Sequence, residues 1–397
     1  MLPYPREVSK VLLNSNINPS TKKPWRVGSL FAGCGGFDVG AHLAGMEVVW
    51  ANDLDPDACE TYRQNLGPIC ECDVNELDIT ELADIDILLA GFPCQPFSNA
   101  GSRKGTSDGR GNLYKSTFKF IEHFHPKAIV YENVRGFLSF QGKNGKLADE
   151  IKYILEKKYG YHCVYRLLNF SHFGVPQNRI RVVMVALKNQ AYLEHAYPEI
   201  TVDKDLSIIS ALKGITDDLP NQNELMKLNP QALRYGSMIP EGGSWKSLSY
   251  DVLPERWKKI RDDMPRYHYP NFFRRYSRSD VMGTITAAFK PENAAVWHPV
   301  HDRIFSVREI ARFQTFPDDF VFHGRTVKSK YQQIGNAVPP HFALQLLSRI
   351  GACLGEMAHD VLEKKFPSSC QLNVNKPVSA QIERITQLSK KQLNLAL

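Results

Sequence analysis

Several features are missing or scarce in this sequence of 397 residues, and each absence excludes a class of protein. No apolar run approaches the ~18 residues that a membrane-spanning helix needs, and the stretch 182–187 is only as long as a strand. The first residues contain neither a long apolar core nor a small-residue cleavage site, so we expect no secretory signal. Eight cysteines are too few for a disulfide scaffold in a chain of this length, which favours free thiols in a reducing compartment.

Metal-binding and repeat signatures are scarce as well. Cys70 and Cys72 are separated by one residue, which is the wrong spacing for a zinc knuckle, so we expect no metal. No internal repeat is visible that would indicate a solenoid or a propeller. Charge shows only a mild bias, since 49 Lys and Arg against 42 Asp and Glu give a net charge of +7. This excess permits a nucleic-acid partner without requiring one.

The hydrophobic pattern predicts an α/β fold for the first half of the chain. Short apolar runs alternate there with helix-like stretches, which is typical of a doubly wound, mostly parallel sheet. We predict strands at 26–31, 47–51, 86–90, 128–131 and 181–187, and helices at 55–66 and 112–124. Residues 190–300 are more polar and poorly periodic, which indicates a separate, smaller and irregular domain. Helical periodicity returns at 306–316 and at 341–354.

A glycine-rich turn follows the first predicted strand, in the run Phe31-Ala32-Gly33-Cys34-Gly35-Gly36. Glycine at the carboxyl end of a strand lets the backbone approach a ligand closely. Asp53 stands at the end of the next strand, where a carboxylate can accept both hydroxyls of a ribose. The pattern favours a nucleoside-bearing cofactor, although the glycine spacing differs from the GxGxxG dinucleotide fingerprint. A tight turn that binds nothing is the alternative.

A second loop presents a cysteine. The strand at 86–90 leads directly into Gly91-Phe92-Pro93-Cys94-Gln95. A cysteine at the carboxyl end of a strand is a better candidate nucleophile than an inert core cysteine. The segment 99–111 that follows contains many glycines together with Arg and Lys, which is typical of a mobile lid.

Six short motifs occur in order along the chain. They are FAGxGG at 31–36, GFPCQ at 91–95, ENV at 132–134, QxRxR at 177–181, RExARxQxFP at 308–317 and GNAVPP at 335–340. In this order they resemble the motifs of the bacterial-type DNA (cytosine-5) methyltransferase family. The resemblance extends from residue 26 to about 354, apart from the region 190–300. It implies the fold of S-adenosylmethionine-dependent methyltransferases.

The resemblance implies a role for each of four catalytic residues. Cys94 would add its thiolate to carbon 6 of cytosine, which makes carbon 5 nucleophilic. Glu132 would protonate or hydrogen-bond nitrogen 3 of the ring. Arg181 would reach the base or the Glu132 carboxyl, and Arg179 the lid and thiol region. For the two arginines, ordinary surface ion pairs are the alternative. The target base would have to be flipped out of the duplex.

The resemblance also implies S-adenosylmethionine as the cofactor. The residues expected to bind it are Phe31, Ala32, Gly33, Gly35, Gly36, Asp53, Leu54, Asp73, Val74, Phe92, Pro93, Leu113, Asn336, Ala337 and Val338. In this set Asp53 would bind the ribose and Asp73 the adenine amino group, although a plain turn carboxylate is the alternative for Asp73. Three positions depart from the family pattern. Ser29 replaces a frequent Asp, Asp53 replaces the commoner Glu, and Leu54 replaces an aromatic residue.

A basic, aromatic segment lies at 246–278, where the family carries its target-recognition domain. Nine Lys and Arg against four Asp and Glu give this segment a net charge of +5. Such a composition suits contact with phosphates and base edges, although a solvated helix face is the alternative for 256–263. The residues expected to contact DNA are Gln95, Ser98, Lys104, Arg110, Arg266, Arg274, Arg275, Arg278 and Thr284.

These observations predict three segments and one function. We expect a catalytic and cofactor-binding domain at 1–188, a target-recognition domain at 189–304, and a return to the catalytic domain at 305–397. The predicted function is sequence-specific methylation of double-stranded DNA in a restriction-modification system, by a monomer in a prokaryotic cytoplasm. A cognate restriction endonuclease would act on the same site without direct contact. The alternatives are a tRNA (cytosine-5) methyltransferase and a catalytically inactive DNA-binding regulator.

Overall fold

A computed structural model describes residues 21, 23–93, 113–142, 145–201, 205–263, 272–289 and 295–355. Their contacts divide them into two compact units. The larger unit contains the described residues up to 174, together with 179–201 and 338–355. The smaller unit contains 175–178 and 205–337. Among the described residues, no helix is both long and apolar enough to cross a membrane.

The larger unit is built on a seven-stranded sheet covered by helices. Its strands are β1 (Arg26–Leu30), β2 (Glu47–Asp53), β3 (Cys70–Glu71), β4 (Ile87–Ala90), β5 (Ala128–Val134), β8 (His162–Asn169) and β9 (Ile180–Leu187). The intervening strands β6 (Gln141–Gly142) and β7 (Gly145–Lys146) form a separate two-stranded hairpin. Its helices are α1 (Gly36–Leu43), α2 (Pro56–Asn65), α3 (Leu113–Phe124), α4 (Leu147–Lys157) and α10 (Pro340–Leu354).

The order of the strands is β3-β2-β1-β4-β5-β9-β8. Neighbouring strands from β3 to β5 pair in parallel, whereas β9 pairs antiparallel with both β5 and β8. The predicted doubly wound, mostly parallel sheet is therefore confirmed. Because β9 runs in the opposite direction, its first residues lie at the edge where the parallel strands end.

Close packing between two helices completes the larger unit. Most of α10 is buried, and it packs on α1, which follows the glycine-rich turn. A Cβ atom added at Gly40 in α1 would lie 2.3 Å from the Cβ atom of Ala343 in α10. A contact this short leaves no room for any side chain at residue 40, so glycine there allows the two helices to touch.

The smaller unit contains short elements joined by long loops. They are α5 (Ile208–Leu212), α6 (Pro230–Met238), α7 (Glu255–Asp262), β10 (Arg274–Arg275), β11 (Ala295–Trp297), α8 (Val307–Phe313) and α9 (Val327–Asn336). An aromatic cluster supplies part of its core. Trp245 stacks on Phe272 with ring centroids 4.8 Å apart, and Trp257 packs against Tyr235 at 4.9 Å and Phe273 at 4.7 Å.

Two buried arginines of α8 explain why residues 305–337 belong by contacts to the smaller unit. Arg308 donates hydrogen bonds to the carbonyl oxygens of Pro220 and Pro317 at 2.8 Å. Arg312 forms an ion pair with Asp318 and donates to the carbonyl of Lys213 at 2.9 Å. The predicted return to the catalytic domain begins at residue 305, whereas the division by contacts falls at Val338. The helical pattern at 306–316 could not reveal these distant carbonyl partners.

Candidate active site

The site motifs of the larger unit meet at one edge of its sheet. In the strand registers, Leu30 at the end of β1 pairs with both Asn52 and Ala90, and Ala90 pairs with Tyr131. Val134 at the end of β5 lies opposite Arg181 near the start of β9. The ends of β1, β2, β4 and β5 and the beginning of β9 therefore lie side by side, as expected for a ligand site in a doubly wound sheet.

The glycine-rich turn is shaped by three residues with a left-handed backbone. Phe31, Gly33 and Gly35 have φ angles of 56°, 58° and 91°. Gly35 precedes α1 as its N-cap, and a Cβ atom added there would lie 2.3 Å from Leu66 Cδ1. A Cβ atom added at Gly33 would meet no atom within 4 Å, so open space lies on that side of the turn. The turn therefore offers backbone to a ligand.

Asp53, the last residue of β2, holds this turn in place by hydrogen bonds to backbone amides. Its Oδ2 atom accepts a hydrogen bond from the Gly33 amide at 2.7 Å, and its Oδ1 atom accepts one from the Asp55 amide at 2.9 Å. Burial raises the pKa of the Asp53 carboxyl, although the two backbone donors oppose that effect. Asp53 therefore lies against the glycine-rich turn, and its binding of a ribose stays a prediction.

The electrostatic environment of the turn is negative. Burial raises the pKa of the Cys34 thiol within the turn, and the carboxylates of Asp38, Asp53 and Asp55 raise it further. Asp38 is fully buried, and burial raises the pKa of its carboxyl to about 6. Three carboxylates near one open turn favour a cationic ligand. A sulfonium with an adjacent ammonium group, as in S-adenosylmethionine, has this charge.

The loop after β3 brings two further predicted residues to the same edge. Asp73 is half-buried, and its Oδ1 atom accepts hydrogen bonds from the Asn75 backbone amide at 2.8 Å and from the Asn75 side chain at 2.9 Å. Val74 is buried. The side chain of Leu54 is 64% exposed, which leaves an apolar surface beside Asp53. These residues fit a nucleoside, with apolar side chains for the base and carboxylates for its polar groups.

The turn that leads to Cys94 is held in place at its start. Phe92 is buried, and its ring packs edge-on against Tyr131 with centroids 5.5 Å apart. The Asn133 side chain donates a hydrogen bond to the Phe92 carbonyl at 3.4 Å. Pro93 is exposed, whereas Leu113 at the start of α3 is half-buried. Cys94 itself lies outside the described residues.

A buried ion pair lies beside this turn. The Arg181 Nε atom lies 3.0 Å from Glu132 Oε1, with about a tenth of each side chain exposed. Arg179 is buried as well, and its charge attracts the same carboxylate. Burial raises the pKa of Glu132, while the two arginines oppose that effect. Burial also rules out the alternative that these arginines form exposed surface ion pairs.

The last cofactor motif spans the division between the units. Asn336 and Ala337 belong to the smaller unit, and Val338 is the first residue of the returning larger unit. Within the smaller unit, the Gln314 side chain donates to the carbonyls of Ile334 at 2.6 Å and Ala337 at 3.2 Å. Gln314 thus fixes the end of α9. The role of Asn336, Ala337 and Val338 toward the cofactor stays a prediction.

The predicted DNA contacts differ in their surroundings. Arg274 pairs with Asp280 at 3.2 Å, and the exposed Arg278 pairs with Glu241 at 3.0 Å. Thr284 is exposed, and its hydroxyl donates to the Asn178 carbonyl at 2.7 Å. The predicted contacts Gln95, Ser98, Lys104, Arg110 and Arg266 lie outside the described residues.

Arg275 requires a correction. Its side chain is 5% exposed, and its guanidinium donates to the carbonyls of Gly236 and His298 and to the carboxylate of Asp302. Both terminal nitrogens of the guanidinium are used inside the smaller unit, and its Nε atom is buried, so the group is not presented to a phosphate. The basic composition of 266–278 suggested a DNA contact, because sequence alone cannot distinguish a buried structural arginine from an exposed one.

This correction leads to a stability prediction. We expect Arg275→Met to lower the free energy of unfolding by about 3 kcal/mol, because it leaves buried carbonyls and a carboxylate without their donor. The matched control is Arg278→Met, which removes an exposed ion pair and should cost less than about 1 kcal/mol. Urea titration followed by tryptophan fluorescence measures both. Equal costs for the two variants would contradict the structural role of Arg275.

In the part of the chain that the structure describes, no group of three or more His, Cys, Asp or Glu side chains could hold a metal ion. The fold and the site together define a class of protein: an α/β protein with an open glycine-rich turn at the carboxyl edge of its parallel strands and a buried Glu–Arg pair at the same edge.

Comparisons with known proteins identify the family. The family model for C-5 cytosine-specific DNA methylase matches residues 25–352. The Type II methyltransferase M.NgoFVII of Neisseria gonorrhoeae is 38% identical over 85% of this chain and 88% of its own length. M.Eco47II of Escherichia coli is 35% identical over 78% of this chain and 75% of its own.

A solved structure agrees at the level of the fold. The Entamoeba histolytica methyltransferase EhMeth has a TM-score of 0.59 and 18% identity, covering 83% of this chain and 98% of that one. The present chain therefore belongs to the C-5 cytosine-specific DNA methylase family. It is an enzyme that methylates carbon 5 of cytosine in DNA, and S-adenosylmethionine is the methyl donor that this family implies.

Proposed function

We propose that this enzyme modifies one cytosine within a specific sequence of double-stranded DNA, as the protective partner of a Type II restriction endonuclease. The curated relatives at 38% and 35% identity are Type II methyltransferases, which supports this role. The endonuclease would share the recognition sequence without touching this chain, and the methyltransferase would act as a monomer.

The buried Glu132–Arg181 pair carries the proposed mechanism. It lies at the end of β5, whose neighbour β4 leads into the turn before Cys94. In our proposal, the Cys94 thiolate donates an electron pair to carbon 6 of cytosine, and nitrogen 3 takes up a proton from Glu132. The ring loses its aromaticity and becomes an enamine that is nucleophilic at carbon 5. Glu132 must hold its proton until this moment, and its raised pKa serves that need.

The later steps restore the cytosine ring. S-adenosylmethionine, when bound, would supply an electrophilic methyl group to carbon 5 and would leave as the thioether S-adenosylhomocysteine, whose sulfur keeps the electron pair of the broken bond. Carbon 5 then loses its proton to water, the double bond between carbons 5 and 6 forms again, Cys94 leaves as a thiolate, and nitrogen 3 returns its proton to Glu132. Arg181 would keep the Glu132 carboxyl facing the ring throughout, and Arg179 would add a second fixed positive charge beside it.

We assign cofactor binding to the edge around the glycine-rich turn. Asp53 would accept the ribose hydroxyls, Asp73 the adenine amino group, and the backbone at Gly33 would face the methionine part. The negative potential of the turn supports the choice of a cationic cofactor. The target cytosine would be flipped out of the duplex, because carbon 5 and carbon 6 cannot be reached inside stacked base pairs.

Bisulfite sequencing of DNA from cells that make this protein tests the proposal. In a host without its own cytosine methylation, we expect protection from conversion at one cytosine within one short recurring sequence. The host carrying the empty vector is the control. Methylation in tRNA but not in DNA, measured in the same cells, would instead support the tRNA alternative. Normal expression without methylation of either nucleic acid would support an inactive DNA-binding regulator.

A further inference from the structure

Asn52, which the sequence motifs do not single out, connects the glycine-rich turn to β3 and to the residue that follows β3. It is the penultimate residue of β2 and is 1% exposed. Its backbone carbonyl accepts a hydrogen bond from the Ala32 amide at 3.0 Å, which attaches the glycine-rich turn to β2. Its side-chain amide points toward the segment after β3 and makes the contacts described next.

The Asn52 side chain joins two carbonyls of that segment. Its Nδ2 atom donates to the Cys70 carbonyl at 3.0 Å and to the Cys72 carbonyl at 2.9 Å. Both protons of the amide are therefore used on backbone acceptors. Cys72 directly precedes Asp73, so this pair of bonds fixes the point where the chain leaves the sheet toward Asp73.

This support matters because β3 is only two residues long. Its register with β2 consists of two pairs, Asn52 with Cys70 and Asp53 with Glu71. A further backbone bond runs from the Cys72 amide to the Asp53 carbonyl at 3.2 Å. So short a ladder holds the following loop weakly, and a buried amide that joins two carbonyls adds the missing restraint.

We propose that Asn52 is a positioning residue for the nucleoside part of the cofactor, acting through Asp73. This inference rests on the proposed function, in which Asp73 accepts the adenine amino group. The neighbouring Asp53 is held against the glycine-rich turn by the Gly33 amide. Asn52 and Asp53 together therefore set the distance between the ribose-binding carboxylate and the adenine-binding one.

Calorimetric binding of S-adenosylhomocysteine tests this role. We expect Asn52→Ala to weaken its binding by about 10- to 100-fold, because two buried carbonyls lose their donor and the Asp73 segment loosens. Turnover at saturating S-adenosylmethionine and the KM for DNA should stay within about twofold of the wild type, because the amide touches no reacting atom. Asn52→Ser can donate to one carbonyl, so it should lose less affinity for S-adenosylhomocysteine than Asn52→Ala. This variant replaces Asn52→Ala in the test if the alanine variant folds poorly.

A second ligand separates positioning from simple loss of structure. S-inosylhomocysteine has a carbonyl oxygen on carbon 6 where adenine has its amino group, so wild-type protein should bind it about 10-fold more weakly than the adenine compound. Asn52→Ala should lose most of this preference. The matched control is Asn65→Ala, which removes a side-chain bond to the Thr61 carbonyl at the end of α2 and should keep both affinity and preference.

The outcomes are decisive in both directions. The inference is overturned if Asn52→Ala keeps wild-type affinity and preference, if Asn65→Ala loses as much, or if the wild type shows no preference for adenine. These results concern Asn52 and Asp73 alone. Failure of the proposed function would be seen separately, as wild-type protein that neither binds S-adenosylhomocysteine nor methylates DNA.

Discussion

Cys94→Ser is expected to reduce methyl transfer by about 10⁴-fold or more while leaving DNA binding intact. A serine hydroxyl is hardly ionised at neutral pH, so it cannot add to carbon 6 as a thiolate does. Initial rates with a labelled methyl donor measure the loss, and a mobility-shift titration measures the affinity for DNA. Methylation by this variant at the wild-type rate would remove covalent catalysis from the mechanism.

A trapping experiment makes this result specific to the adduct. DNA with fluorine at carbon 5 of the target cytosine has no proton there to lose, so the bond between Cys94 and carbon 6 cannot be released. Wild-type enzyme should form a denaturation-resistant complex with this DNA, and Cys94→Ser should form none. Cys163→Ser, which alters a buried thiol of β8, is the control and should trap DNA normally.

Glu132→Gln is expected to lower kcat by about 10²- to 10⁴-fold with little change in the KM for DNA. The amide keeps the shape of the side chain but cannot give a proton to nitrogen 3. Glu122→Gln removes an exposed carboxylate that pairs with Lys158 and should leave the rate unchanged. An equal loss in both variants, or none in either, would contradict the proposed role of Glu132.

The same variant should alter the pH dependence. Burial raises the pKa of Glu132, so the protonated form persists to higher pH than in an ordinary carboxyl group. The wild-type rate should therefore fall as the pH rises through that pKa, because the acid form is consumed. Glu132→Gln has no proton to lose there, and its low residual rate should lack this decline. Rates measured in buffers of constant ionic strength would show the difference.

The sequence predicts those features that depend on local pattern. The alternation of apolar runs and helices predicts four of the five parallel strands. Its position at the end of the second predicted strand indicates Asp53, and the ENV motif indicates Glu132; both lie at the same edge of the sheet. Strand β3 was not predicted because two residues carry no periodicity, and β8 was not predicted because its buried positions do not alternate strictly. Local pattern also gives no indication of which polar groups are buried together.

Long-range hydrogen bonds account for the remaining differences. Arg275 looks like a DNA contact until its carbonyl partners 23 and 39 residues away are known. In the sequence Asn52 is an ordinary polar residue near the end of a strand, and only the structure shows that its amide donates to the carbonyls of Cys70 and Cys72. In both cases the partner is a backbone atom, which no residue type reveals. Such contacts follow from the tertiary fold and could not be derived from motif spacing.

The packing of α1 on α10 has a consequence for biosynthesis. Roughly 300 residues separate the two helices, so a ribosome adding about 5–20 residues per second needs roughly 15 to 60 s to proceed from one to the other. During that time α1, which directly follows the glycine-rich turn, lacks the helix that buries the face around Gly40. A nascent chain released before α10 emerges would thus carry every described strand of the sheet but an uncovered face on α1. Synthesis must pass through the whole smaller unit before the larger unit is complete.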